Sequence, residues 1–242
     1  MLVVSAATVT GQRHQLNESK HFGIIGGLGV GATVLYYQGI TAACSARGIV
    51  PRLTMAHAHA PNALALVQAG RIDDLAAYLA GFASELSAAG AEFFAIPAIT
   101  PHICLAELKH RVSLPIIDIL EIIAQRLRER RLSRVALFGT RFTIEGGLFG
   151  ALDAFDVVKP TSDEIDAIHG VYLELATQGR TSADGEAKLR DVAHALIRRE
   201  RVEAIVLAGT DLNLIFNETN ARFPAVDCTA AHIDAILARM AG

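Results

Sequence analysis

The segment FGIIGGLGVGAT, residues 22–33, decides the fold, because a short apolar run ends in glycine and leads directly into a helical pattern. A second unit of this kind, VALFGT at residues 135–140, lies in the second half of the chain. Strand-sized runs alternating with helical stretches predict βα units around parallel sheets. The repeat predicts an α/β fold of two pseudo-symmetric, flavodoxin-like domains, with a ligand cleft where the carboxyl ends of their strands face each other.

This repeat also predicts the domain organisation. The expected parts are an N-terminal extension, residues 1–20; a first domain, residues 21–118 plus 225–242; and a second domain, residues 119–224.

Periodicity predicts the individual elements. Residues 72–89 form the clearest helix, since their apolar residues recur at three- and four-residue spacing and Gly90 follows as the expected C′ glycine. Further apolar patterns predict a strand at 116–119 and a helix at 144–153.

The composition excludes several classes of protein. Apolar residues make up 52% of the 242 residues and charged residues 19%, which is typical of a folded domain with a sizeable core. The longest apolar runs are strand-sized, whereas a membrane-spanning helix needs about 20 residues. The net charge of -3 gives no basic field for a nucleic acid, and residues 1–20 lack the pattern of a secretory signal.

The cysteines favour a cytoplasmic protein. Cys44, Cys104 and Cys228 are odd in number and lack Cys-x-x-Cys spacing, so neither a disulfide framework nor a zinc site is expected. Both Cys104 and Cys228 are expected to be core residues rather than catalytic thiols.

The glycine-rich turn has two interpretations. It follows a first strand, as in dinucleotide-binding folds, but it contains no clean G-x-G-x-x-G pattern and no acidic residue ends the next strand. The alternative is that Gly29 and Thr33 let backbone N–H groups and a hydroxyl approach a small anion at the helix start. We expect the second, with no cofactor.

Several motifs resemble those of the aspartate/glutamate racemase family. IPAITPH at 96–102 and LAGTDL at 207–212 are similar to that family's P-C-N-T-A-H and L-G-C-T-E signatures. GGLGVGAT at 26–33 resembles its G-G-M-G-P-x-A-T opening, and PIIDI at 115–119 and DCTAAH at 227–232 continue the match in order. The resemblance implies the racemase-type two-domain fold, a small carboxylate substrate and a homodimer.

The resemblance also implies two facing cysteines, one removing the α-proton and the other returning a proton to the opposite face. This chain carries Ala98 and Gly209 at those positions. A two-thiol racemase is therefore not expected, and the two small residues predict a cleft widened by the volume of two side chains.

The remaining candidates for proton transfer are His57 and His59, which end the second predicted strand. Period-two alternation places both imidazoles on one face, where they could serve as base and acid. The alternative is a solvated loop histidine beside a hydrogen-bonded core histidine. A metal would need a third ligand, His102 or Asp211, and no metal is expected; His102 is also suited to capping a helix.

The carboxylate-holding groups follow from the same resemblance. Thr100 and Thr210 flank the lost cysteines, and Asp211 takes the place of a glutamate that supports the site electrostatically. The substrate-contacting residues expected at the strand ends are Ala98, Ile99, Thr100, Thr140, Thr143, Gly209 and Thr210. Ala176 stands where aspartate-type racemases place a lysine, so Arg47 or Arg52 would have to supply a cation.

Three functional hypotheses remain open. The first is an isomerase or lyase acting next to the carboxylate of a small organic or amino acid, with His57 or His59 moving the proton. The second is a catalytically silent protein that binds a small anion. The third is an amino-acid racemase that uses another acid and base.

Overall fold

The computed structural model describes residues 17–242 and confirms the predicted α/β fold with parallel sheets. Its strands are β1 (Asn17–Glu18), β2 (Phe22–Gly26), β3 (Ile49–Val50), β4 (Leu53–His57), β5 (Phe93–Ala95), β6 (Arg134–Phe138), β7 (Asp156–Val158), β8 (Ala204–Leu207) and β9 (Ala225–Asp227). Its helices are α1 (Val30–Ala46), α2 (Ala60–Gln68), α3 (Ile72–Ala88), α4 (Leu105–Arg111), α5 (Ile119–Glu129), α6 (Arg141–Glu145), α7 (Ser162–Gln178), α8 (Ala183–Glu200) and α9 (Cys228–Ala241). Two 3₁₀ turns, Thr100–Cys104 and Thr210–Leu214, follow β5 and β8.

Two parallel sheets form the centres of the two halves. The first has the strand order β4-β2-β5 and the second the order β7-β6-β8-β9. The pairing of Gly26 with His57 shows that β2 and β4 end at the same level. Because all strands of a parallel sheet end at one edge, the loops that follow them gather at that edge.

The first sheet is covered on both faces, as a parallel sheet requires. Phe22 and Ile24 of β2 pack with α1 and α9 residues, whereas Ile25 points to the opposite face and packs against α3. Complete burial of one such side chain stabilises the fold by about 1.5–3 kcal/mol. The alternation along β2 fixes which of its residues can face the neighbouring helices.

The C-terminal segment is divided differently from the prediction. Residues 225–242 were assigned to the first domain, but β9 pairs with β8 in the second sheet. Only α9 returns to the first half, where Ile236, Leu237 and Met240 join the core beside α1. Of the predicted extension, residues 1–16 lie outside the described part of the chain, and β1 pairs with β3.

Two predicted elements differ in the structure. The helix expected at 144–153 is replaced by α6, which ends at Glu145 because Gly147, Leu148 and Phe149 take positive φ angles that no α-helix contains. The strand expected at 116–119 is reduced to one bridge between Phe94 and Ile116. Within residues 17–242, no helix combines the length and apolarity needed to cross a membrane.

Candidate functional site

A cavity of about 340 Å³ lies where the carboxyl ends of the two sheets face each other. The first half contributes the turn after β2, helix α2 and the segment after β5, and the second half contributes Thr140, two residues after β6, and one face of α7. The lining residues are Gly27, Leu28, Gly29, Val30, Ala60, Pro61, Ala63, Leu64, Val67, Ala98, Ile99, Thr100, Pro101, Thr140, Tyr172, Leu173, Ala176 and Thr177. The cavity therefore occupies the cleft that the repeat predicts.

Ala98, which stands where the family resemblance implies the first cysteine, lines this cavity. Ala98 and Ile99 are buried residues of its lining, at the start of the first 3₁₀ turn. His102 holds this segment in place, since its ring Nδ1 lies 2.8 Å from the Ala98 carbonyl oxygen and donates to it. Burial lowers the pKa of His102, so the ring is neutral. His102 thus shapes the strand end and does not line the cavity.

The second lost cysteine position is covered by an aromatic ring. A Cβ atom built on Gly209 would lie 2.3 Å from Cε2 of Tyr172, far closer than two carbons can approach. The ring of Tyr172 lines the cavity in front of Gly209. The expectation of a widened cleft is therefore wrong on this side, because Tyr172 fills the space that the missing side chain leaves.

Asp211 lies behind the tyrosine and joins the two halves. Its Oδ2 accepts a hydrogen bond from the Tyr172 hydroxyl at 3.1 Å, and its Oδ1 accepts from the Ala32 N–H at 3.0 Å. The side chain is 1% exposed. Burial raises the pKa of Asp211 and raises the pKa of Tyr172 well above its ordinary value. Burial therefore makes both groups harder to ionise than they are in water.

Gly29 makes room for this carboxylate. A Cβ atom on Gly29 would lie 2.8 Å from Oδ2 of Asp211, so the close approach of α1 to Asp211 requires glycine. Thr33 stabilises the same turn, since its hydroxyl donates to the Gly29 carbonyl oxygen at 2.8 Å and accepts from the Gly27 N–H at 3.1 Å. The 340 Å³ cavity between the two sheets is called the main cavity below. Of the two predicted anion-binding residues, Gly29 lines this cavity and Thr33 does not.

The four other predicted threonines divide into two pairs. Thr100 and Thr140 line the cavity from opposite halves, and their hydroxyl oxygens lie 3.1 Å apart in a hydrogen bond. Thr143 is buried behind them and bonds to Thr140 at 3.0 Å. Thr210 is also buried, and its hydroxyl donates to the Pro97 carbonyl oxygen at 3.1 Å. Of these four threonines, only Thr100 and Thr140 line the cavity.

The two predicted catalytic histidines lie outside the main cavity lining. Both side chains are exposed. His57 lines a neighbouring apolar pocket of about 360 Å³ on the other side of the Gly27 turn, together with Met55 and Tyr37. The N–H of His59 donates to the Tyr78 hydroxyl at 2.8 Å, which fixes its backbone at the start of α2. Their proposed catalytic role stays a prediction.

The described residues contain neither a group of side chains suited to a metal ion nor a reactive thiol. Within residues 17–242, no three His, Cys, Asp or Glu side chains are grouped so that they could hold a metal ion. Cys44, Cys104 and Cys228 are free and buried. Burial raises the pKa of Cys104 to about 12, and that of Cys228 rises as well, so both are core thiols, as predicted.

The two parallel-sheet halves with a shared cleft define the chain as a two-domain α/β protein of the racemase fold. The sequence model of the Asp/Glu/hydantoin racemase family matches residues 25–236, and the chain belongs to that family.

Solved structures of low sequence identity share this fold. A protein from Yersinia pestis assigned to the Asp/Glu racemases superposes with a TM-score of 0.79 at 23% identity, covering 92% of this chain and 100% of its own. An aspartate racemase homologue from Pyrococcus horikoshii gives a TM-score of 0.74 at 23% identity, covering 92% and 99%. A maleate isomerase from Pseudomonas putida gives 0.58 at 14% identity, covering 91% of each chain.

Tyr172 is the residue that the sequence interpretation missed. A usable signal was present, since Tyr172 precedes Ala176 by four residues on α7 and therefore shares its helix face. Ala176, the position at which the family resemblance implies a lysine, lines the cavity. Tyr172, one helical turn before Ala176, could therefore have been predicted to line the same cavity.

Proposed function

We propose that this protein is a cofactor-independent isomerase or lyase that acts next to the carboxylate of a small organic acid and moves a single proton through Tyr172. Membership of the racemase family supports chemistry of the racemase kind. The observation that carries the proposal is that Tyr172 is the only titratable side chain in the cavity lining drawn from residues 17–242.

The number of proton-transfer groups separates the reaction classes. A racemase must remove a proton from one face of the α-carbon and return one to the other, so it needs a group on each side. Here Ala98 stands on one side and cannot exchange a proton, while Tyr172 stands on the other. A reaction that needs only one protonation therefore fits the cleft better than racemisation.

The proposed chemistry can be written with its protons and electrons. When a bond from the α-carbon to a leaving carboxyl group breaks, the electron pair stays on the α-carbon as an enediolate and carbon dioxide departs. The Thr100 and Thr140 hydroxyls would stabilise the oxygens on which that charge develops. This step requires the hydrogen bond between the two groups to reverse: a protonated Asp211 would donate to the Tyr172 oxygen while Tyr172 gives its proton to the carbon, and the Asp211 carboxylate would regain a proton before the next turnover. Burial raises the pKa of both groups and so disfavours their charged forms.

The test compares Tyr172→Phe with wild type during turnover of small carboxylic acids in heavy water. Phenylalanine keeps the ring over Gly209 and removes only the hydroxyl, so folding should be retained while deuterium incorporation falls by about 100-fold or more. Tyr37→Phe is the matched control, since Tyr37 is exposed on α1 and outside the main cavity. His57→Ala and His59→Ala test the histidine hypothesis in the same assay. Full activity of Tyr172→Phe would refute the proposal.

A second candidate function is favoured by the hydrogen bonds themselves. The Tyr172 hydroxyl and both Asp211 oxygens are engaged in a buried set of bonds that joins the halves, which also suits a purely structural pair. In that case the protein binds a small anion without converting it. Ligand-dependent thermal stabilisation, with no turnover and no deuterium exchange for amino, dicarboxylic or aryl-malonic acids, would establish the binder and exclude the enzyme.

The expected assembly and location belong to the proposal as well. An apolar strip on α1, formed by Val30, Val34 and Tyr37, is exposed beside Met55 of the edge strand β4. Such a strip supports the homodimer that the family resemblance implies. Sedimentation of the purified chain measures this directly. The cysteine usage supports a cytoplasmic location.

A further inference from the structure

We infer that the cavity between α2 and α7 selects carboxylic acids whose other end is an apolar alkyl or aryl group, and discriminates against a second carboxylate at that end. The inference rests on the proposed function in one respect only, because it assumes that a carboxylate binds at Thr100 and Thr140. The inference concerns the end of the ligand away from this carboxylate, whose chemistry neither the family nor the proposed reaction determines.

The walls away from the two threonines are mostly hydrocarbon, and the hydroxyl of Thr177 on the α7 wall already donates to the Leu173 carbonyl oxygen at 2.7 Å. Helix α2 contributes Leu64 and Val67, and helix α7 contributes Leu173 and Ala176 from the opposite half. Val30, at the start of α1, adds a further apolar side chain to the lining. Leu64 is 40% exposed and Leu173 41% exposed, so both still have apolar surface that a ligand could cover. Covering it would contribute about 25 cal/mol per Å².

Within residues 17–242, none of the cavity-lining residues carries a cationic side chain. Arg141 follows the lining residue Thr140, but its guanidinium is bonded to Glu145 at 2.8 Å and also to Asp166. The position where the resemblance implies a lysine is Ala176. A second carboxylate placed against these walls would lose its hydration without gaining a counter-ion, which is costly.

Arg47 and Arg52, the two arginines that the sequence offers as a substitute cation, both lie far from the cavity end of their helix or strand. Arg47 is the C-cap of α1, whereas the cavity is at the N-terminus of this 17-residue helix, roughly 25 Å away. Arg52 precedes β4, whose carboxyl end faces the cavity side, and its guanidinium lies 4.0 Å from Glu18. Neither arginine is placed to meet a substrate carboxylate.

The volume admits a ligand of this kind. An apolar protein cavity of about 150 Å³ suffices for benzene. The 340 Å³ available here therefore has room for a six-membered ring and a short chain that ends in a carboxylate. The polar end of such a ligand would reach Thr100 and Thr140, and its ring would lie against Leu64 and Leu173.

The test uses two acids that differ only at the end in question. 3-Phenylpropanoate and succinate are both propanoates, with a phenyl group in one and a carboxylate in the other at the third carbon. Calorimetric titration of the full-length protein should give a dissociation constant for 3-phenylpropanoate at least about tenfold lower than that for succinate. Tighter binding of succinate, or no binding of either acid up to roughly 10 mM, would overturn the inference.

Two variants locate the binding. Leu64→Gln should weaken 3-phenylpropanoate binding about fivefold to tenfold, because it removes apolar surface from the wall. The matched control is Val50→Gln, since Val50 is similarly exposed at 38% but lies outside the cavity lining. Ala176→Lys should strengthen succinate binding about tenfold and weaken that of 3-phenylpropanoate. Equal effects of Leu64→Gln and Val50→Gln would also overturn the inference.

Failure of the inference and failure of the proposed function give different results. If 3-phenylpropanoate binds with the expected preference but no apolar acid is converted, the inference holds and the enzymatic proposal fails. If a Tyr172-dependent reaction is found only with acids that carry a second carboxylate at the far end, the proposed function holds and the inference fails.

Discussion

The strand ends at Ala98 and Gly209 look equivalent in the sequence and differ in the structure. Both carry a small residue where the family resemblance implies a cysteine. Ala98 faces the open cavity, whereas Gly209 lies under the ring of Tyr172. The same loss therefore left free space in one half of the cleft and was compensated by a larger side chain in the other.

The partners of the two strand ends differ in the same way. The Ala98 side is held by His102, a neutral ring that donates to one carbonyl oxygen. The Gly209 side is held by Asp211, a buried carboxyl group that accepts from Tyr172 and from the backbone of α1. The first arrangement is local to one half, and the second connects both halves. A substitution at Gly209 should consequently affect the packing of both halves.

The largest expected effect comes from restoring the two cysteines separately. Gly209→Cys should lower the free energy of unfolding by about 3 kcal/mol, because its Cβ and Sγ atoms collide with a buried ring. Ala98→Cys should cost less than about 1 kcal/mol, since its side chain can extend into the cavity. Urea denaturation measures both values. Equal costs at the two positions would remove the basis of the comparison.

The double variant shows whether Tyr172 is the cause. In a Tyr172→Ala background the ring is absent, so the cost of Gly209→Cys should fall below about 1 kcal/mol. An unchanged cost in that background would attribute the effect to the backbone at Gly209. In that outcome Tyr172 would no longer explain the missing cysteine.

A smaller effect is expected from removing the carboxyl group that connects the halves. Asp211→Ala leaves the Ala32 N–H and the Tyr172 hydroxyl without their buried acceptor, which should cost about 2 kcal/mol in unfolding free energy. Asp211→Asn is the matched control, since its amide oxygen can still accept from Ala32 and its cost should be about half as large. If both variants cost the same, hydrogen bonding is not what Asp211 contributes.

The sequence was sufficient for the α/β fold with parallel sheets, and its elements could be predicted where their patterns are strong. Apolar periodicity placed helix α3 and strand β2 closely, because both carry strong, regular patterns. It failed at β9, whose three residues are too few to show a period, and at α6, where Leu148 and Phe149 take positive φ angles that their apolar pattern does not indicate. Local patterns cannot reveal an element that depends on distant partners.

The site shows the same limit. Motif positions place Ala98, Thr100 and Thr140 after strand ends, and all three line one cavity. No local pattern indicates that Tyr172 covers Gly209, since the two residues are 37 positions apart and meet only when α7 packs over the second sheet. Alternation along β4 put His57 and His59 on one face, but it could not tell which pocket that face meets.

The last expected effect is the pH dependence of stability, and it has opposite signs on the two sides. On the Ala98 side, burial lowers the pKa of His102 and lowers that of His232 to about 3. Both rings are neutral in the folded protein and become protonated on unfolding below about pH 6.5. Stability is therefore fully present above pH 6.5 and is lost as the pH falls toward 3, at no more than about 1.4 kcal/mol per pH unit for each ring.

Asp211 contributes with the other sign, because its pKa in the folded state is raised above the ordinary carboxyl range. The folded protein holds this proton at a pH where the unfolded chain has released it, so acidification through that range favours folding. His232→Gln can keep both hydrogen bonds, to the Tyr36 hydroxyl and to the Ile117 carbonyl oxygen, without a titrating ring. Urea midpoints between pH 7 and pH 5 should therefore fall more in wild type than in His232→Gln, whereas Asp211→Asn should lose the stabilisation that acidification toward the ordinary carboxyl pKa brings. Parallel curves for the three proteins would show that neither side controls the response to acid.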